Sequence, residues 1–195
     1  IVEKDFPGFK VAQKLVKMGF RGSQTGELVF DDCRVPAANL VGQENEGVKI
    51  VMSGLDLERA LVAALCVGIC ERALELSVEY ARTRVQFGKP IAALQGLQWY
   101  IADMATKTEA AKWLVYRAAY LHDTGKPYSK ESAMCKLNAS ENARFVTNLA
   151  LQIHGGYGYV IEYPVERYYR DAKLASITEG TSEIQQMIIA RDLLK

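Results

Sequence analysis

From Val48 to Tyr80, apolar side chains return every three or four residues: Val48, Met52, Leu55, Val62, Cys66, Ile69, Ala73, Leu76 and Tyr80, with Arg59 in the same register. Positions spaced this way share one face of a helix of period 3.6. The pattern predicts an amphipathic helix from about Glu46 to Arg84, which Gly54 and Gly68 weaken only modestly. Phe87-Gly88-Lys89-Pro90 stops it, because glycine frees the backbone and proline cannot continue a helix. A second helix is expected from Leu94 to about Asp123, with Leu97, Ile101, Met104, Ala105, Thr108, Ala111, Leu114 and Val115 inward, ending at Thr124-Gly125-Lys126-Pro127. A third runs from about Ser129 to Ile153 with Met134, Leu137, Val146, Leu149 and Ile153 inward. Tyr163-Pro164 opens a short helix through about Asp171, and Ser182 to Leu194 forms the last. Long helices joined by short loops describe a mainly α fold, an antiparallel helical bundle.

The first forty residues read differently. Short apolar runs alternate with turn residues, and Glu27-Leu28-Val29-Phe30 before Asp31-Asp32 reads as a strand ending in a turn. Two or three strands are marginal by themselves, so partner strands are expected elsewhere. Since the sequence opens on Ile1, with no initiator Met and no signal peptide, it is expected to be a piece of a longer protein. The organisation is a β-domain remnant over 1–42 and a helical bundle over 43–195.

With 49% apolar residues in 195, the chain can bury one sizeable core or two small ones. Its 24 basic and 23 acidic residues leave no field to hold nucleic acid or an anionic membrane surface. The longest apolar run, Ala60 to Cys70, is far short of the roughly 20 residues a membrane span needs. Cys33, Cys66, Cys70 and Cys135 show no CxxC spacing and read as buried free thiols, which suits bacterial cytoplasm or mitochondrial matrix. Neither His122 nor His154 has a ligand partner at helical spacing, so no metal site is expected.

Three stretches could carry chemistry. In Ile177 to Gln186, Ser182 and Gln185 have capping-box spacing and place a helix start near Ser182. Glu179 then sits on a turn ahead of the helix, either as a solvated acid favoured by the positive helix end or as a general base. Gln152 to Tyr159 is a glycine-rich helix exit, either a plain C-cap or a place where a flat ring or pyrophosphate approaches the backbone. Arg82 to Pro90 gathers two guanidinium groups and a lysine at a helix C-terminus, either complementing the dipole or clamping a diphosphate.

LDLERA (Leu55 to Ala60), RTRVQFGKPI (Arg82 to Ile91), LQGLQ (Leu94 to Gln98), QIHGGYGY (Gln152 to Tyr159), YPVERYYRDAK (Tyr163 to Lys173) and ITEGTSEIQ (Ile177 to Gln185) occur in this order. Together they resemble the C-terminal part of the acyl-CoA dehydrogenase family, with a short- or branched-chain character. GELVFDDCRVP (Gly26 to Pro36) is similar to the end of that family's middle β domain. The resemblance implies an FAD enzyme that oxidises an acyl-CoA thioester to trans-2-enoyl-CoA, and a homotetramer. It also implies electron-transferring flavoprotein as redox partner, with an oxygen-using oxidase as the variant. By the same resemblance Glu179 is the base, and its own backbone N–H is one donor to the thioester oxygen. Arg84, Phe87 and Gln95 would meet FAD from a neighbouring subunit. Gln152, Ile153, His154, Gly155 and Gly156 would lie under the adenine end, with Thr181 and Glu183 as further flavin contacts. Asp56 and Arg59 would lie near CoA, and Gly180 beside the thioester. The chain departs from the family in one respect. The isovaleryl-type branch takes its base from the position of Glu58 and has a small residue at the position of Glu179, whereas this chain carries both acids. Glu58 is therefore expected to repel, share a proton or line the pocket. The alternative to an enzyme is a helical oligomerisation module that lacks the flavin-enclosing domains.

Overall fold

The structure, a computed structural model, describes residues 1–195. It separates into two compact units, Ile1–Gly54 and Leu55–Lys195. The first unit is built on an antiparallel hairpin of β1 (Phe9–Leu15) and β2 (Thr25–Phe30), in which Phe9 pairs with Phe30 and their rings lie 5.1 Å apart. Gly8 enters β1 at φ +84°, where a Cβ would stand 2.1 Å from the Asp31 carbonyl oxygen, so the close pairing at this end of the hairpin requires glycine. Val11, Leu28 and Phe30 are about half exposed. The hairpin therefore has little core of its own.

The second unit is the bundle. Helix α1 (Gly47–Thr83) contributes its part from Leu55 onward. A two-stranded ribbon, β3 (Val85–Gln86) and β4 (Lys89–Pro90), leads from it to α2 (Gln95–Asp123) and then α3 (Ser129–His154). After a 3₁₀ turn over Gly155–Tyr159 come α4 (Val165–Ala175) and α5 (Ser182–Leu193). The central element is α3, which packs against α2, α4 and α5. The helix ends agree with the proline and glycine signals to within a residue or two, except that α4 continues four residues past Asp171.

The buried faces are not the ones that large apolar residues mark. In α1 the interior takes Ala63, Cys66, Val67, Cys70, Ala73, Ser77 and Ala81, while Val48 and Met52, expected inward, are 74% and 60% exposed. Facing positions hold Ala111 and Ala118 on α2 and Ala133, Ala139, Ala143 and Ala150 on α3, all fully buried. Small side chains let long helices approach closely along their whole length, since interaxial distance follows side-chain size at the contact. Large apolar residues such as Leu57, Leu61 and Leu65 remain outside. Cys66, Cys70 and Cys135 are buried free thiols, whereas Cys33 is half-buried. No helix is long and apolar enough to cross a membrane.

Candidate active site

Between α4 and α5 the chain makes a tight turn, and both Glu179 (φ +54°) and Gly180 (φ +93°) adopt the left-handed region. For a non-glycine residue this costs on the order of 1–3 kcal/mol unless the surroundings hold it. Two fully buried side chains do so. The Gln185 amide donates to the carbonyls of Glu179 (3.1 Å) and Gly180 (2.9 Å), and the Lys136 ammonium donates to the same Gly180 carbonyl at 2.6 Å. Across a trans peptide the C=O and the following N–H point in opposite directions. With those two carbonyls drawn inward, the N–H groups of Gly180 and Thr181 point the other way. Those two, and the N–H of Glu179, meet no protein acceptor. Three consecutive free donors thus stand at the positive end of α5.

The capping box is corrected. The cap of α5 is Thr181, whose hydroxyl accepts from the Ile184 N–H at 3.4 Å, while Ser182 Oγ donates to Glu141 at 2.9 Å. Gln185 reaches back to carbonyls and not to the cap N–H, because the turn at Glu179–Gly180 presents its oxygens to the interior. Glu183 lies exposed in the first turn, and its own backbone N–H and the Thr181 hydroxyl hold its carboxyl below the usual range.

Helix α1 brings the second acid to this loop. A hydrogen bond with the Glu179 carboxyl, reinforced by its charge, raises the Glu58 carboxyl above its ordinary value. The Thr178 hydroxyl donates to Glu179 Oε1 at 3.2 Å. Next to Glu58, buried Arg59 pairs across one turn with Asp56 at 2.6 Å, and Asp56 also accepts from Ser129 at 3.1 Å. Ser132 on α3 donates to the Asp56 backbone carbonyl. The Arg59 Nε keeps no partner. The structure therefore brings Glu58 to Glu179, Gly180, Thr181 and Glu183 at the start of α5 and Arg59 toward Lys136, while Asp56 is held at the start of α3.

A second group forms at the far end of α3. Arg84, Phe87, Gln152, Ile153, His154, Gly155 and Gly156 line one cavity of about 580 Å³, with Tyr80 and Tyr157 in its wall. Gln95 begins α2 without lining it, although Leu94 and Leu97 do. Phe87 sits at the tip of the β3–β4 ribbon at φ +52°, 88% exposed, an aromatic ring presented outward on a strained turn. Gly155 and Gly156 have nothing within 4 Å of where a Cβ would stand. The Arg84 guanidinium lies 5.3 Å over the Tyr157 ring. His154 stacks on Tyr80 at 4.3 Å, and its Nδ1–H donates to the Ala150 carbonyl at 2.8 Å. Burial lowers the His154 pKa and favours a neutral ring. From Lys136 to Gln152 along α3 is about 24 Å at about 1.5 Å per residue, so the two groups are separate.

Residues 45–194 match the family model described as acyl-CoA dehydrogenase, C-terminal domain. The chain belongs to the acyl-CoA dehydrogenase family. It is 66% identical over 195 residues to acryloyl-CoA reductase (NADH) of Anaerotignum propionicum, covering all of this chain and 50% of that protein. It is 48% identical to the mitochondrial short-chain specific acyl-CoA dehydrogenase of Rattus norvegicus, covering 100% of this chain and 47% of that one. Among solved structures it superposes on butyryl-CoA dehydrogenase from Megasphaera elsdenii with a TM-score of 0.96 at 49% identity, over 100% of this chain and 51% of that chain. The chain spans about half the length of the relatives it matches.

The sequence reading passed over Lys136 and the role of Gln185. A signal for the first exists: Lys136 falls in register with Ser132, Ala139, Ser140 and Ala143 on the small-residue face of α3, where a solvated lysine has no place.

Proposed function

We propose that this chain is part of an FAD-dependent enzyme that interconverts a short acyl-CoA thioester and its trans-2-enoyl form, with Glu179 as the base. The turn at Glu179 carries the reading: an acid at positive φ beside three unpaired N–H groups. A thioester oxygen held by such donors stabilises the enolate that forms as the adjacent carboxylate takes the Cα proton. The Cα–H electron pair becomes the new double bond, and the Cβ hydrogen leaves with its own pair. FAD supplies the acceptor for that hydride. By microscopic reversibility Glu179 returns the proton to Cα when the same site reduces an enoyl-CoA.

The second group fits FAD. Arg84 suits a diphosphate, Phe87 offers a ring to a flat heterocycle, and Gly155 and Gly156 leave room for close approach to the backbone. Gln95, Gln152, Ile153 and His154 complete this contact, and Thr181 and Glu183 hold the flavin near Glu179. The separation of the two groups along α3 supports a homo-oligomer, a tetramer, in which one copy's Arg84 side serves the cofactor that reacts at another copy's Glu179. Asp56 and Arg59 bind toward CoA, Gly180 lies beside the thioester, and Glu58 lines the pocket beside Glu179. Short substrates are supported by the relatives' names, which specify acryloyl-CoA, short-chain acyl-CoA and butyryl-CoA. Electron-transferring flavoprotein is the redox partner, and free buried thiols suit bacterial cytoplasm or mitochondrial matrix.

The test is anaerobic addition of butyryl-CoA, and of acryloyl-CoA after reduction, to the FAD-loaded full-length protein. The expected result is loss of the visible flavin band with the first and its return with the second. A flavin that responds to no acyl-CoA of any length contradicts the proposal.

A further inference from the structure

We propose that Lys136 is the positioning residue of the Glu179 turn: its buried ammonium holds the Gly180 carbonyl inward and so aims the N–H donors beside Glu179. The inference rests on Glu179 being the base. Lysines are almost never fully buried unless paired, yet Lys136 is 0% exposed and has no carboxylate within ion-pair distance. Its side chain ends on a backbone oxygen of the turn at 2.6 Å. A lysine serving only to fill the bundle would run its stem along the core and release its charge to solvent. Here the charge is kept inside, one residue from the acid.

The bond has a geometric consequence. Lys136 and Gln185 converge on the Gly180 carbonyl, and a trans peptide then directs the Thr181 N–H to the opposite side. The Gln185 bond to the Glu179 carbonyl does the same for the Gly180 N–H. Donors for a thioester oxygen and the carboxylate for its Cα proton are thus aimed by the same buried pair. Gly180 has to be glycine for this clamp, because a Cβ there would stand 2.7 Å from Gln185 Nε2. The charged and titratable groups facing Lys136 are Arg59 and Cys66 from α1, Glu141 from its own helix, Glu179 from the turn and Glu183 from α5, with Glu58 behind Glu179. Burial lowers the Lys136 pKa, and Cys66, Glu179 and Glu141 oppose that shift.

Two variants of the full-length holoenzyme test the bond to the Gly180 carbonyl. Lys136→Met keeps the volume and removes both donor and charge; Lys136→Gln keeps a donor and removes the charge. Amide hydrogen exchange over 182–185, whose N–H groups are bonded across the turn and first helical turn, is expected to quicken at least about tenfold in Lys136→Met, with α1 and α2 unchanged. Flavin reduction by butyryl-CoA is expected to slow about 100-fold, the loss typical of a misaimed group, with KM within about threefold. Lys136→Gln, whose shorter donor holds the carbonyl less well, is expected to fall between Lys136→Met and wild type in both exchange and rate. Slow exchange and unslowed flavin reduction in Lys136→Met overturn the proposal. If Lys136→Met does not fold, Lys136→Gln decides: exchange and rate both at the wild-type value overturn it. Should the wild-type flavin respond to no acyl-CoA, the dehydrogenase reading fails, while the exchange comparison still reports whether Lys136 holds the turn.

Discussion

At the scale of single residues the proposed chemistry rests on Glu179, with Glu58 beside it on α1. A hydrogen bond and the charge of Glu179 lift the Glu58 carboxyl above its ordinary value. Glu58→Gln removes that raised acid, and the expected outcome is a pH–rate profile in the full-length enzyme that loses an acidic step above the ordinary carboxylate range while keeping most of its plateau. Lys136 makes a second pH prediction, on stability. Burial holds it below the ordinary lysine value of 10.5, so between its folded pKa and 10.5 the unfolded chain binds a proton that the folded chain has shed. Stability gains from that difference as pH rises through the window. Urea midpoints of wild type and Lys136→Met, compared across that window, are expected to show the gain only in wild type. Glu179 and Glu58 were both legible as acids in the sequence. That they meet was not, because one lies inside α1 and the other on a turn over a hundred residues later.

Helix limits were the most legible features at the scale of elements, since Phe87-Gly88-Lys89-Pro90, Thr124-Gly125-Lys126-Pro127 and His154-Gly155-Gly156 punctuate the periodic runs. Buried faces were read less well. Large apolar residues drew the eye to Val48 and Met52, whereas a close-packed bundle buries alanine, cysteine and serine. The cap of α5 was misplaced by one residue, because Ser182 and Gln185 have capping-box spacing but are engaged by Glu141 and by the turn carbonyls. Thr181→Ala removes the true cap and is expected to cost about 1 kcal/mol, read as a lowered unfolding midpoint. Gly180→Ala adds strain at φ +93° and a Cβ 3.3 Å from Ile184 Cγ2 and closer still to Gln185 Nε2. Its expected cost is about 1–3 kcal/mol with loss of most activity, measured by the same midpoint and by flavin reduction.

At the scale of the whole molecule, the unit from Leu55 onward is a bundle whose interior is sealed and whose outer faces keep exposed apolar residues. Burial pushes the thiols of Cys66, Cys70 and Cys135 up to about 12, so all three are expected to resist a water-soluble thiol reagent until the protein unfolds. On α2, Trp99 and Trp113 are 62% and 63% exposed, with Tyr116 and Tyr120 also outward. Such a patch suits contact with another copy. Trp113→Glu in the full-length protein is expected to lower the assembled mass measured by light scattering. This outer stripe could be read in the sequence as aromatic residues at helical spacing, but which side faced out depended on where the small residues packed. The dehydrogenase reading itself turns on Glu179, and anaerobic flavin reduction by butyryl-CoA, compared between Glu179→Gln and Glu58→Gln in the full-length holoenzyme, tests it most directly. With Glu179 as base, the first variant binds FAD and substrate but leaves the flavin oxidised, whereas the second reduces it at close to the wild-type rate. Reduction by Glu179→Gln and none by Glu58→Gln would contradict this and move the proton transfer to α1.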